Sequence, residues 1–150
     1  MARPPRIPNK MPWEYPTIYF ITICTKERLK VLDNPLCWTT CMTVFPRLTR
    51  WSLIAALAMP DHVHFLATPY RRDESPKKLS RWFKRWFNDI LHPSWDWQDG
   101  CFDHLLRPRE SAQQKWDYIR YNPVRGGLVS RPEDWPYQTG FNAQAKQELG

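Results

Sequence analysis

The 150-residue chain holds no apolar run approaching the roughly 18 residues needed to span a bilayer, which excludes a helical membrane protein. Its first residues, Met1-Ala2-Arg3-Pro4-Pro5-Arg6-Ile7-Pro8, lack the apolar stretch of a secretory signal. A cytoplasmic protein with no membrane partner is therefore expected. Cysteine is sparse, and Cys24, Cys37, Cys41 and Cys101 form no C-x-x-C pair, so neither a disulfide framework nor a common zinc module is indicated. No internal repeat is visible, which argues against a solenoid or propeller.

What is present is positive charge and aromatic surface. Lys and Arg total 22 against 15 Asp and Glu, a formal charge of +7, and such an excess attracts polyanions, nucleic acid above all. Nine tryptophans supply large anchors, most of them for the core; exposed ones are suited to stacking on unpaired bases. Fifteen prolines punctuate the chain. Residues 1–16 form a Pro-rich basic arm with Arg3, Arg6 and Lys10, residues 17–140 a single folded domain, and residues 141–150 a polar tail.

Within the domain, Tyr19 to Thr25 is β-branched and aromatic and reads as a strand. Leu36 to Phe45 reads as a short helix ended by Pro46. The apolar run Trp51–Met59 and the segment His62–Ala67 flank the turn signal Pro60-Asp61, which predicts a hairpin. Ser75-Pro76 has the form of an N-cap followed by proline at the first helical position. After it, Leu79, Trp82, Phe83, Trp86, Phe87, Ile90 and Leu91 follow helical spacing. Lys77, Lys78, Arg81, Lys84 and Arg85 occupy the other face of that helix and form a one-signed path for phosphates. One more strand is expected between Trp95 and Arg107, and a helix over Glu110–Asn122, stopped by Pro123. The order β-α-β-β-α-β-α suits a ferredoxin-like α+β fold, an antiparallel sheet with helices packed on one face.

Two spacings carry chemistry. His62 and His64 lie two residues apart on one strand face. They are either a packed pair or two imidazole ligands for one metal ion. Tyr118 and Asn122 are helix neighbours at i,i+4. Either they serve packing and helix termination, or the amide oxygen is a hard metal ligand with the phenol beside it. A zinc-stabilised domain built on Cys37, Cys41, His62 and His64 is a separate alternative.

Together these residues resemble a known family. Met59-Pro60-Asp61-His62-Val63-His64-Phe65-Leu66 resembles the HUH motif of the single-tyrosine HUH transposases. Tyr118-Ile119-Arg120-Tyr121-Asn122-Pro123-Val124-Arg125-Gly126-Gly127-Leu128-Val129 resembles the catalytic-helix block of their REP-associated tyrosine transposase branch. Phe102-Asp103-His104-Leu105-Leu106-Arg107, Glu110-Ser111, Glu133-Asp134-Trp135-Pro136 and the first strand resemble it too, in the family's order over roughly residues 13 to 140.

The resemblance implies a ferredoxin-like HUH domain acting on single-stranded DNA with a palindromic hairpin. Tyr118 would be the nucleophile, with Tyr121 as runner-up, and His62, His64 and Asn122 would hold a divalent metal, Mg²⁺ or Mn²⁺. Asn122 stands where the wider family often has Gln, and Gly126 where a small Ala is common. Arg120 and Arg125 join the arm and the helix face as candidate DNA contacts. A monomer is expected, with a helix-swapped dimer as the other arrangement. The competing function is a non-catalytic single-stranded nucleic-acid binding module on the same fold.

Overall fold

A computed structural model describes residues 17–107 and 111–140. The arm with Arg3, Arg6 and Lys10, the polar tail, and Glu110 lie outside the described residues.

Five strands and three principal helices follow one another as β1 (Tyr19–Cys24), α1 (Pro35–Val44), β2 (Trp51–Met59), β3 (His62–Pro69), α2 (Pro76–Leu91), β4 (Phe102–Leu105) and α3 (Ala112–Arg120). A one-turn helix α4 (Asn122–Arg125) and a short strand β5 (Gln138–Thr139) follow, completing the elements of the described residues. The sheet is antiparallel, in the order β4-β1-β3-β2-β5. Its first four strands with α1 and α2 are the βαββαβ arrangement of a ferredoxin-like fold.

Local chemistry explains the elements. Each of α1, α2 and α3 starts where a polar side chain accepts a backbone N–H: Asn34 from Cys37 (2.9 Å), Ser75 from Lys78 (3.2 Å) and Ser111 from Gln114 (3.0 Å). Pro35 and Pro76 occupy first helical positions, where no N–H is needed. Helix α2 ends on His92 in the left-handed conformation (φ 52°). Strands β2 and β3 meet through the two-residue turn Pro60-Asp61, with Met59 opposite His62.

Period-2 alternation sorts the strands' side chains between two cores. Ile21, Ile23, Val63, Phe65 and Ala67 face α1 and α2, where Phe83 and Phe87 are fully buried. Phe65 meets Phe83 edge-on, with ring centroids 5.1 Å apart. Leu57 and Leu66 point to the other side and pack with Trp116 and Ile119 of α3. The expectation of helices on one face therefore holds for α1 and α2; α3 lies across the opposite face. Strand β5, too short to stand out in the sequence, brings Gly140 against that second core. A Cβ there would stand 2.7 Å from the Ala55 side chain and 3.0 Å from Trp116.

The last predicted helix is divided. Pro123 has no N–H to give to Ile119, so the helix over 112–120 stops and a new turn starts at Asn122. Tyr121 lies between them at φ −86°, ψ −4°.

Candidate active site

The hairpin tip that presents His62 is fixed from outside the sheet. The carbonyl of Pro60 accepts from the backbone N–H groups of Val31 and Leu32, both at 2.9 Å. The carbonyl of Asp61 accepts from the Thr25 N–H at 3.0 Å and the Thr25 hydroxyl at 3.2 Å. Glu27 and Arg28 in the same connection have positive φ (58° and 54°). This costly turn brings the Arg28 guanidinium onto the Asp61 carboxylate (3.0 Å).

His62 and His64 share a face of β3, and their Nε2 atoms converge to 3.1 Å. The outer nitrogens are occupied. Asp61 accepts from His62 Nδ1 at 2.6 Å, which leaves a lone pair on His62 Nε2. His64 Nδ1 meets the hydroxyl of Thr22, its cross-strand partner, at 2.9 Å. The two Nε2 atoms thus lie within hydrogen-bond distance of each other, and their spacing matches the edge of about 3.0 Å between adjacent ligands at roughly 2.1 Å from an octahedral ion. A carboxylate or hydroxyl behind each imidazole orients it for such a role.

Electrostatics favours neutral rings. Burial pushes the His64 imidazole well below its ordinary pKa, with His62 and Lys115 adding to the effect. Burial also lowers His62, against the opposing pull of Asp61. Burial works against the Asp61 charge, but hydrogen bonds from His62 and Arg28 prevail and hold its carboxyl below the usual range.

Helix α3 lies over the same sheet face and presents Tyr118 outward, 61% exposed. Two cations flank this phenol ring. The Arg125 guanidinium lies 4.2 Å and the Lys115 ammonium 5.7 Å from its centroid. Lys115 also lies 4.7 Å from the Phe20 ring, which in turn packs against His64 at 5.0 Å. Lys115 and Phe20 therefore join the tyrosine to the histidine pair. Arg125 donates to the Tyr118 carbonyl at 2.9 Å and to Asn122 Oδ1. Asn122 is thus gathered with Tyr118, and its amide oxygen is engaged by Arg125. Tyr121, the runner-up, is 42% exposed.

Other sequence expectations separate here. Cys37 and Cys41 are buried in the α1–α2 core, on the sheet face opposite His62 and His64. The four-residue zinc site is therefore not assembled; the cysteines are small core residues, and the Cys37 thiol donates to the Val31 carbonyl. The basic face of α2 also lies across the sheet from the histidines. Lys77, Arg81 and Arg85 are exposed. Lys84 is committed to structure, donating to the carbonyls of Gln98 and Gly100 at 2.7 Å each, and Lys78 donates to the Asp73 carbonyl. Arg120 is half-buried, its Nε without a partner among the described residues. Sequence reasoning did not single out Thr22, Asp61 or Lys115. The register of β1 on β3 places Thr22 opposite His64, and i,i+3 spacing places Lys115 beside Tyr118, neither of which marks a site before the sheet is assembled.

No family model matches the chain. A provisionally named REP-associated tyrosine transposase of Haemophilus influenzae is 26% identical over 152 residues, 88% of this chain and 84% of that protein. REP-associated tyrosine transposases are thus among its curated relatives. The Escherichia coli transposase of that name is 29% identical over 85 residues, 57% of this chain and 52% of its own length. A solved REP-associated tyrosine transposase, bound to a REP hairpin, superimposes with a TM-score of 0.71 at 23% identity, covering 91% of this chain and 85% of that one. At that identity the likeness to the solved transposase is one of fold. No described helix is long and apolar enough to cross a membrane.

Proposed function

We propose that this chain is a metal-dependent endonuclease and strand-transferase for single-stranded DNA carrying a palindromic hairpin. The observation that carries the reading is the convergence of the His62 and His64 Nε2 atoms at 3.1 Å, beneath a helix that offers an exposed tyrosine between two cations.

His62, His64 and Asn122 would hold the divalent ion, Mg²⁺ or Mn²⁺, with Asn122 exchanging Arg125 for the metal. When bound, the ion supplies charge neutralisation at the scissile phosphate and orients it for in-line attack. Two imidazoles and an amide are a softer set than a usual Mg²⁺ cage, which makes Mn²⁺ at least as effective in vitro.

The protein's own groups do the rest. The phenol oxygen of Tyr118 attacks phosphorus and loses its proton to solvent, while the bond to the 3′-oxygen breaks and that oxygen takes up a proton from solvent. The products are a 5′-phosphotyrosine and a free 3′-OH. Lys115 and Arg125 favour the negative charge that develops on the phenol oxygen and the phosphate. The covalent bond keeps the phosphodiester energy, so a 3′-OH from another strand reverses the step without a nucleotide cofactor. Lys77, Arg81, Arg85 and Arg125, with the arm residues Arg3, Arg6 and Lys10, are the proposed phosphate contacts.

The hydrogen bond from Arg125 to Asn122 Oδ1 favours one other reading, a binding module in which Asn122 stays with Arg125 and no metal site is completed. A covalent-adduct assay separates the two. The protein is mixed with hairpin oligonucleotides and Mn²⁺ and resolved on a denaturing gel. A DNA–protein band lost by at least about 10³-fold in Tyr118→Phe, and lost with chelator, is expected. Hairpin binding with no adduct in wild type would favour the binding module.

A further inference from the structure

On the far side of the sheet from the histidines, at the opposite end of β2, the turn over residues 47–51 and the first turns of α2 enclose a groove of about 390 Å³. Its walls carry Arg47, Arg50, Lys78 and Arg81 against a single carboxylate, Glu74. That carboxylate is itself consumed. Its side chain is only 4% exposed, and it accepts from Arg50 (3.3 Å) and from the Trp51 indole N–H (3.1 Å). Glu74 thus shapes the groove floor and leaves positive charge in excess. Trp82 stands at the rim, 42% exposed, with Trp86 behind it at a ring separation of 5.1 Å and a 36° tilt. A second cleft of about 440 Å³ shares Leu48, Thr49 and Trp51 with the first and ends at Tyr70, which is 57% exposed.

We infer that this groove is a second nucleic-acid site, a track for an unpaired single strand whose bases stack on Trp82 and Tyr70 while its phosphates meet Arg47 and Arg81. The inference rests on the nucleic-acid reading proposed above and adds to it a location and a strand type. Exposed aromatic faces interleaved with cations are what a single strand needs, because every base has a π-face and every linkage a charge. The Arg85 guanidinium now lies 5.5 Å from the Trp82 centroid. A base taking its place over the ring frees that cation for the adjoining phosphate. A duplex would offer the indole no open base face. The chain's own basic arm, with Arg3, Arg6 and Lys10, is repelled by the groove's charge. His62 pairs with Met59 at one end of β2, and the groove starts at Trp51, eight residues earlier. The two sites are therefore about 26 Å apart along the strand, too far to hold the same nucleotide. The groove holds DNA flanking the hairpin.

Fluorescence anisotropy of the whole protein with a labelled oligothymidylate, and with an abasic strand of equal length, tests this. Trp82→Ala is expected to weaken oligothymidylate binding about tenfold, and Trp82→Phe to restore most of it. Arg81→Gln should lower the slope of log affinity against log salt by about 0.7 in magnitude. The abasic strand should bind wild type no better than oligothymidylate binds Trp82→Ala. Equal binding of abasic and base-bearing strands would overturn the inference, as would unchanged affinity in Trp82→Ala. Displacement of the DNA by polyglutamate at matched charge would assign the groove to an acidic protein and overturn it too. The adduct assay on wild type runs alongside. No adduct, with binding still dependent on Trp82, would defeat the transferase reading alone. An adduct with Trp82-independent binding would defeat the groove alone.

Discussion

The histidine pair depends on the groups behind it. Asp61 and Thr22 each take one outer nitrogen, which fixes which nitrogen faces the other imidazole. Asp61→Asn and Thr22→Val are each expected to lower Mn²⁺ affinity 10- to 100-fold while leaving the fold intact, as titration calorimetry with circular dichroism would show. Unchanged affinity would mean that the rings are oriented by packing alone. The same burial gives a pH signature. Both imidazoles titrate below their ordinary value in the folded chain. The unfolded chain therefore binds more protons as pH drops below about 6.5, and stability present above that point declines beneath it. In chelator, the urea midpoint should decrease between about pH 7.5 and about pH 5.5, and His64→Gln should flatten the decrease. Asp61 acts lower, as pH falls through its depressed carboxyl range.

Among the elements, α2 is the best predicted. Its Ser75-Pro76 start and its bounds, Pro76–Leu91, match the expectation, and Leu79, Phe83 and Phe87 of the apolar stripe are buried, whereas Trp82 and Ile90 are exposed. Phe83 is fully buried and touches Phe45, Phe65, Phe87 and Trp97. Phe83→Ala should cost about 3–5 kcal/mol, measured by denaturant unfolding; a loss below about 1 kcal/mol would mean the cluster repacks. The elements lost to sequence reading were set by tertiary contact. Strand β5 is two residues long and has no periodicity to detect; β2 is what makes it a strand. The division between α3 and α4 follows from the missing N–H of Pro123, a residue read only as a stop. The face on which α3 lies is equally invisible locally, since Trp116 and Ile119 say that one side is buried but not against what. At the candidate site, His62, His64, Tyr118 and Asn122 were singled out by their resemblance to the family's motifs, since their spacing alone left packing as the alternative. Thr22 and Lys115 were not, since an alternating strand threonine and a helix lysine have ordinary explanations until the sheet puts them beside His64 and Tyr118.

For the molecule as a whole, stability is unevenly spread. The sheet and α1–α2 share one large aromatic core, whereas the second core, under α3, is smaller. Native-state hydrogen exchange should find the α3 amides opening at lower free energy than those of β3, whose Val63 and Phe65 are fully buried. Equal protection would mean that the molecule opens only as one unit.

Helix α3 is nine residues long and inserts two buried side chains, Trp116 and Ile119, against the sheet. Their burial is worth on the order of 5 kcal/mol. Whatever becomes bonded to Tyr118 hangs from that attachment, whereas His62 and His64 belong to the sheet itself. A group on the phenol and a group at the imidazoles would therefore be linked through the second core around Trp116 and Ile119 and through Lys115 on the Phe20 ring.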